Sequence, residues 1–212
     1  MSEAARRRVA EVVGAVARQA LADSGAERIA LLDDGGPEAE LAAALLAEAL
    51  GPDRVLRVSA GAAEVESVLH LGPGVERARA GEEAARLRAR LLNGVLLAHP
   101  GNKTALLLAG MLPPEPFLPL GDLWASQVAT LGGAWSAPAQ VRALAEGAGG
   151  IAVLDASLAA LLEGRAPDAL GGLPEGVAAA VEQALAAGRA GRLNPRLVPK
   201  LGTRTLGCDL NA

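Results

Sequence analysis

Two stretches of this 212-residue chain place glycine and short polar residues between an apolar run and the start of a helix. In the first, Ile29 to Leu32 reads as a short buried strand and Asp33-Asp34-Gly35-Gly36 as a turn; Pro37 suits the first position of a helix running to about Leu50. In the second, Gly94 to Ala98 is an apolar strand, His99 to Asn102 is a loop, and Lys103 opens a helix reaching about Met111. A strand, a glycine turn and a helix start aim backbone N–H groups and the positive end of the helix dipole at one point, which is the chemistry of phosphate capture. The same layout also serves as a plain tight turn, and both readings stand at this stage. Lys103 either meets an anion or snorkels to solvent. Asn102 and Asp122 suit helix capping. His99 is a candidate base with no acid partner visible in the sequence, whereas His70, in an apolar stretch, reads as a half-buried structural residue.

Composition narrows the classes. Net charge is −4 with acids and bases interleaved, and the aromatic residues are Phe117, Trp124 and Trp135 alone. Neither a basic stripe nor a stacking platform is present, which argues against nucleic-acid binding. Hydrophobic residues make up 51% of the chain, yet no apolar run reaches the ~18 residues of a membrane span. The first residues carry charges with no apolar segment after them, so a signal peptide is not expected and the location expected is the cytoplasm. The single cysteine, Cys208, forms no internal disulfide and is too few for a thiolate metal site.

The elements that must hold the two turns follow from periodicity. Residues 3 to 22 read as an amphipathic helix with Val9, Val12, Val13, Val16, Ala17 and Ala20 on one side. Its Arg6-Arg7-Arg8 cluster is either a phosphate or acidic-partner contact or, the plainer reading, a solvated face. Strands are expected at 29–32, 54–58 and 94–98, with another at 65–71. Helices are expected at 37–50, 81–92 and 103–111, then at 122–131 (capped by Asp122), 138–146, 156–163 and 175–188, with an extended tail from Arg189. Alternation of this kind predicts a single α/β domain over 1–212: a three-layer parallel sheet with helices on both faces and a helical C-terminal part.

Three segments carry a further resemblance. They are Gly101-Asn102-Lys103-Thr104, Pro119-Leu120-Gly121-Asp122-Leu123-Trp124-Ala125-Ser126-Gln127-Val128, and Val198-Pro199-Lys200-Leu201-Gly202-Thr203-Arg204-Thr205-Leu206-Gly207-Cys208-Asp209. In order and spacing they resemble the G-T-G-N-K-S-E, P-I-G-D-L-Y-K-T-Q-V and V-P-K-x-G-x-R-T-x-G-x-D motifs of the ammonia-dependent NAD synthetase family. Ala85-Arg86-Leu87-Arg88 resembles that family's A-R-x-R-M helix. The resemblance implies an N-type ATP pyrophosphatase fold, ATP and Mg²⁺ as reactants, amidation of deamido-NAD, and a homodimer built partly on the helix at 85–92. It implies a nucleotide side at Asp34, Gly35, Gly36, Glu38, Ala39, Gly101, Asn102, Lys103 and Thr104, with Glu38 as the metal carboxylate. Arg86, Arg88, Arg192 and Lys200 fall on the deamido-NAD side.

The chain departs from this pattern where charge is handled. The family's S-G-G-x-D-S loop is here Asp34-Gly35-Gly36-Pro37-Glu38-Ala39: an acid replaces the first serine and an alanine the second. His99-Pro100 stands for glycine-threonine, Ala105 for a metal-binding glutamate and Ala125 for a lysine. The six residues between the strands expected at 54–58 and 65–71 are too few for a crossover helix. Loss of one transition-state donor typically costs ~10²–10³ in rate. The expectation is therefore a degenerate homologue with impaired or lost amidation and a binding or regulatory role, ATP and Mg²⁺ held weakly or absent. The alternative is an active divergent synthetase.

Overall fold

The computed structural model describes residues 3–61, 77–108, 115–163, 172–190 and 199. The chain begins with helix α1 (Glu3–Ser24), strand β1 (Arg28–Leu32), helix α2 (Pro37–Leu50), a single 3-10 turn (Pro52–Arg54) and strand β2 (Val55–Val58). Helix α3 (Arg77–Arg90), strand β3 (Val95–Ala98) and helix α4 (Lys103–Leu108) follow. The remaining described elements are helices: α5 (Ala125–Gly132), α6 (Ala139–Gly147), α7 (Ile151–Leu162) and α8 (Glu175–Ala190).

The described strands form a parallel sheet in the order β2-β1-β3. Strand β1 sits in the centre because Ile29, Ala30, Leu31 and Leu32 are apolar on both faces and all four are buried. It pairs Ile29 with Val55 on one side and with Leu96 on the other. One face is covered by α1 and α2 through Val9, Val13, Ala17, Leu21, Leu41 and Leu45. Gly14 lets these two helices touch, since a Cβ there would lie 2.4 Å from the Ala49 Cβ. The other face is covered by α3, whose Ala85 and Ala89 pack on Ala30, Leu32 and Val58. The three layers expected from the alternation are therefore present. A second core joins the later helices through Leu107, Leu118, Val141, Leu154, Leu158 and Val181.

Several boundaries differ from expectation. Helix α3 starts at Arg77 instead of Gly81 and stops at Arg90, leaving Leu91 and Leu92 in a turn. Helix α7 starts at Ile151, five residues before the expected 156: Gly149 (φ 88°) and Gly150 (φ 128°) turn the chain sharply after α6. Asp122 does not cap α5, which begins only at Ala125, after turns that Gly121 and Leu123 close onto Leu118 and Leu120. The strand expected at 65–71, His70, the end of α4 beyond Leu108, and Arg192, Lys200 and Cys208 lie outside the described residues. Arg6, Arg7 and Arg8 are exposed, as a solvated face requires. Among the described residues no single helix is long and apolar enough to cross a membrane.

Candidate functional site

Strand order places the site. The chain leaves β1 towards β2 on one side and later returns to β3 on the other, so the loops at the carboxyl ends of β1 and β3 flank a crevice. In open parallel sheets ligands bind at such a switch point. Both glycine turns singled out in the sequence lie there: 33–36 after β1 and 99–102 after β3.

The first turn is held by its own acids. Asp33 Oδ1 accepts from Gly35 N–H at 2.9 Å, and Asp34 Oδ1 accepts from Gly36 N–H at 2.8 Å. Gly35 has φ 77°, which favours glycine. Arg57 on β2 donates to Asp33 at 2.8 Å and to Glu40 at 2.6 Å. Burial pushes the Asp33 carboxyl up, but the hydrogen bonds from Arg57 and Gly35 outweigh it and leave the group below its ordinary range. Asp34 and Gly35 are exposed; Glu38 and Ala39, in the first turn of α2, are buried.

Glu38 joins three parts of the chain. Its Oε1 accepts from Asn102 Nδ2 at 3.0 Å and from Ser136 N–H at 2.7 Å, and its Oε2 accepts from Ser136 Oγ at 2.5 Å. Asn102 also caps α4, accepting from Ala105 N–H at 3.0 Å, so it combines the expected cap with a contact across the crevice. The side chain of Glu38 is thereby surrounded by hydrogen-bond donors. Mg²⁺ needs open carboxylate oxygens near octahedral geometry, and the Ala105 position supplies no second acid. Among the described residues no group of three or more His, Cys, Asp or Glu side chains is arranged to hold a metal ion. This donor set does not fit the metal that the sequence resemblance implies.

The second turn leads into a cation, Lys103, that has an internal acid. Lys103 does not snorkel: its side chain is 1% exposed, its Nζ lies 3.4 Å from Asp122 Oδ1, and it stacks over the Trp124 ring at 4.7 Å. This ion pair is what Asp122 does in place of the expected cap. Thr104 donates to Asp155 Oδ1 at 2.5 Å and accepts from Ala125 N–H at 3.0 Å. Asp155 Oδ2 accepts from Ser126 N–H at 2.8 Å, so α5 is capped by side chains from α4 and α7. Burial raises the Asp155 carboxyl above its ordinary range despite these bonds.

Arg86, expected on the dinucleotide side, is buried on α3 and donates to the buried Glu115 at 2.5 Å, to Glu82 at 2.5 Å and to Glu83. The acid partner that the sequence did not show for His99 is Glu82, at 3.6 Å from Nε2. His99 Nδ1 accepts from Gly101 N–H at 3.0 Å, which assigns the ring proton to Nε2. The adjacent imidazole, working against burial and helped by Arg86, holds the Glu82 carboxyl down at about 2. Arg88 is exposed and donates to Ser59 O at 3.3 Å.

The fold thus brings together Glu38, Asn102, Lys103, Thr104 and the 33–36 turn, and seats Arg86 beside His99. Sequence reasoning missed Ser136, Glu82, Glu115 and Asp155. Only Asp155 left a signal: an acid inside the apolar run Val153-Leu154-Asp155-Ala156-Ser157-Leu158.

Comparison with known proteins bears on the fold. No family model matches the sequence, and no curated protein matches it. Among solved structures the chain is similar to the NH3-dependent NAD synthetase from Campylobacter jejuni subsp. jejuni NCTC 11168 in complex with the nitrate ion. The match has a TM-score of 0.64 at 18% identity and covers 92% of this chain and 98% of that one. At that identity the likeness defines the class by fold: a parallel α/β sheet of the adenine nucleotide α-hydrolase-like type.

Proposed function

We propose that this chain is an NAD synthetase-like protein in which ATP-dependent amidation of deamido-NAD is impaired or lost, leaving a binding or regulatory role in the cytoplasm. The fold likeness and the motif order support the family part of the reading. One observation carries the degenerate part. The carboxylate at the family's metal position, Glu38, is bonded to Asn102 and twice to Ser136, while Asp34 takes the Gly36 amide that a phosphate would use. Adenylation drives pyrophosphate off the α-phosphate and needs cations and backbone donors for the charge released. Here an anion of the chain itself holds one of those donors. The test is a coupled assay with deamido-NAD, ATP, Mg²⁺ and ammonia. No NAD formation is expected; robust turnover would end the reading.

The homodimer implied by the resemblance belongs to the same proposal. Leu87, Leu91 and Leu92, at 47%, 83% and 38% exposure, put an apolar patch at the end of α3. A two-fold contact through this patch should bury more than ~1,000 Å². Light scattering is expected to give the dimer mass at micromolar concentration and the monomer mass for Leu91→Glu. A monomeric parent chain would refute the assembly and leave the reading of the site untouched.

A further inference from the structure

The end of the sheet opposite the crevice carries a second cleft. It has a volume of about 410 Å³ and lies between the end of α1, the turn into β1 and the 3-10 turn before β2. Its lining is Leu21 and Ala22 of α1, Gly25 and Ala26 of the turn, and two arginines, Arg18 and Arg54. No acid belongs to that lining. The acid next to it on α1, Asp23, is bonded to Gln19 at 2.7 Å.

Both arginines are fixed by the backbone. Arg18 Nη1 donates to Ala49 O at 3.1 Å. Gly14 permits this bond, because a Cβ there would lie 2.4 Å from the Ala49 Cβ and 3.4 Å from the same Nη1. Arg54 Nε donates to Glu27 O at 2.9 Å. Arg57 and Arg86 are each paired with carboxylates, whereas neither Arg18 nor Arg54 has an acid partner among the described residues. The bond at Nη1 leaves Arg18 its Nε–Nη2 edge, and the bond at Nε leaves Arg54 its Nη1–Nη2 edge. Such an edge is a two-pronged donor that fits two oxygens of a carboxylate or phosphate. The wall beside these edges is apolar: Leu21 is buried in the core, and Ala26 packs against the same core. At Gly25 (φ 67°) the space where a Cβ would stand is open.

We propose that this cleft binds a small organic dianion, a phosphate monoester or a dicarboxylate, with its acid groups on the two guanidinium edges and its carbon body against Leu21, Ala22 and Ala26. The volume lies within the ~300–1,000 Å³ of small-molecule sites, so the cleft holds more than a bare ion. Two guanidinium groups balance two negative charges. The chain as a whole carries a net charge of −4 and repels anions at long range, so the attraction is local and needs both arginines. The site lies apart from the 34–39 turn and goes beyond the reading of the crevice.

The test is calorimetric titration of the full chain at low ionic strength with phenyl phosphate, with glutarate and, as a monoanion, with benzoate. At least one dianion is expected to bind one to one, about tenfold more tightly than benzoate, and more weakly as salt is added. Binding of phenyl phosphate alone identifies a monoester site, and binding of glutarate alone a dicarboxylate site. Arg18→Gln and Arg54→Gln should each lower the affinity about tenfold. Ala22→Glu leaves both arginines on their carbonyls and sets a carboxylate on the wall of the cleft. It should lower the affinity as much, and it decides the matter if circular dichroism shows the arginine variants misfolded. Dianions that bind no better than benzoate would overturn the site. So would an affinity unchanged in Ala22→Glu and in the folded arginine variants. NAD formation by the unmutated chain would end the reading of the crevice and leave this site standing.

Discussion

The two turns that face each other across the crevice solve the same electrostatic problem in opposite ways. After β1, the side chains are acids, and they bond to the chain's own donors: Asp34 to Gly36 N–H, and Glu38 to Asn102 and Ser136. After β3 stands a cation, Lys103, which faces the chain's own Asp122, and beside that turn Arg86 on α3 likewise faces Glu115, Glu82 and Glu83. A site built for a polyanion leaves donors and cations waiting for it. Here the donor-bearing turn has taken in anions and the cation-bearing turn has kept its counter-ions. What the difference teaches is that glycine geometry and ligand affinity are separable. The backbone of such a site survives without a ligand if every polar group it presents is satisfied from within.

The comparison breaks most readily at its driest point. Lys103 and Asp122 both have side chains 1% exposed, so Lys103→Met leaves a carboxylate in the core facing no ammonium. Removing one partner of a buried pair costs ~3–5 kcal/mol. Urea denaturation of Lys103→Met should show a loss of that size, and Lys103→Met with Asp122→Leu should recover most of it. A loss no larger than that of an exposed pair, under ~1 kcal/mol, would mean that the pair is hydrated.

A smaller effect is expected at Arg86. Its partner Glu115 is buried, but Glu82 and Glu83 reach water, with side chains 39% and 43% exposed. Arg86→Met should cost about 2–3 kcal/mol by the same measurement, most of it from Glu115. Arg86→Met combined with Glu115→Gln should cost less than Arg86→Met alone. Equal losses would show that Glu115 finds another donor.

The smallest effect sharpens the comparison through pH. The Glu82 carboxyl sits at about 2 in the fold against an ordinary value of 4.5, so the unfolded chain binds the extra proton first. Its stabilising contribution is full above about 4.5 and drains away as the pH falls towards about 2. Glu82→Gln should therefore lower stability at neutral pH and flatten the acid limb of the stability curve through that window. Identical limbs in Glu82→Gln and the parent would separate His99 from Glu82.

Much of the architecture was legible from sequence, because the signals are local. The apolar run Ile29–Leu32, the Pro37 helix start and the Gly51 stop each act within a few residues, and β1, α2 and β3 lie where the pattern put them. The boundaries that moved did so for tertiary reasons. Asp122 looked like a cap because capping residues are recognised by type and position alone, while its buried partner Lys103 lies 19 positions away at the start of α4. The start of α7 hides behind two glycines whose positive φ values are visible only in the fold.

By itself, the sequence determined that the chain alternates strands and helices, that two glycine turns precede helix starts, and that acids and alanines stand where the resembled family handles ATP. These are properties of residue type and of spacing within one or two turns, and they need no knowledge of what packs on what. The tertiary structure alone decided what each charge touches. Ser136 meets Glu38 across 98 positions, Asn102 meets Glu38 across 64, Thr104 meets Asp155 across 51 and Arg86 meets Glu115 across 29. No local rule fixes such pairs. They follow from how the two cores stack their helices around the carboxyl ends of β1 and β3, where the penalty for burying an unpaired polar group selects one partner among many.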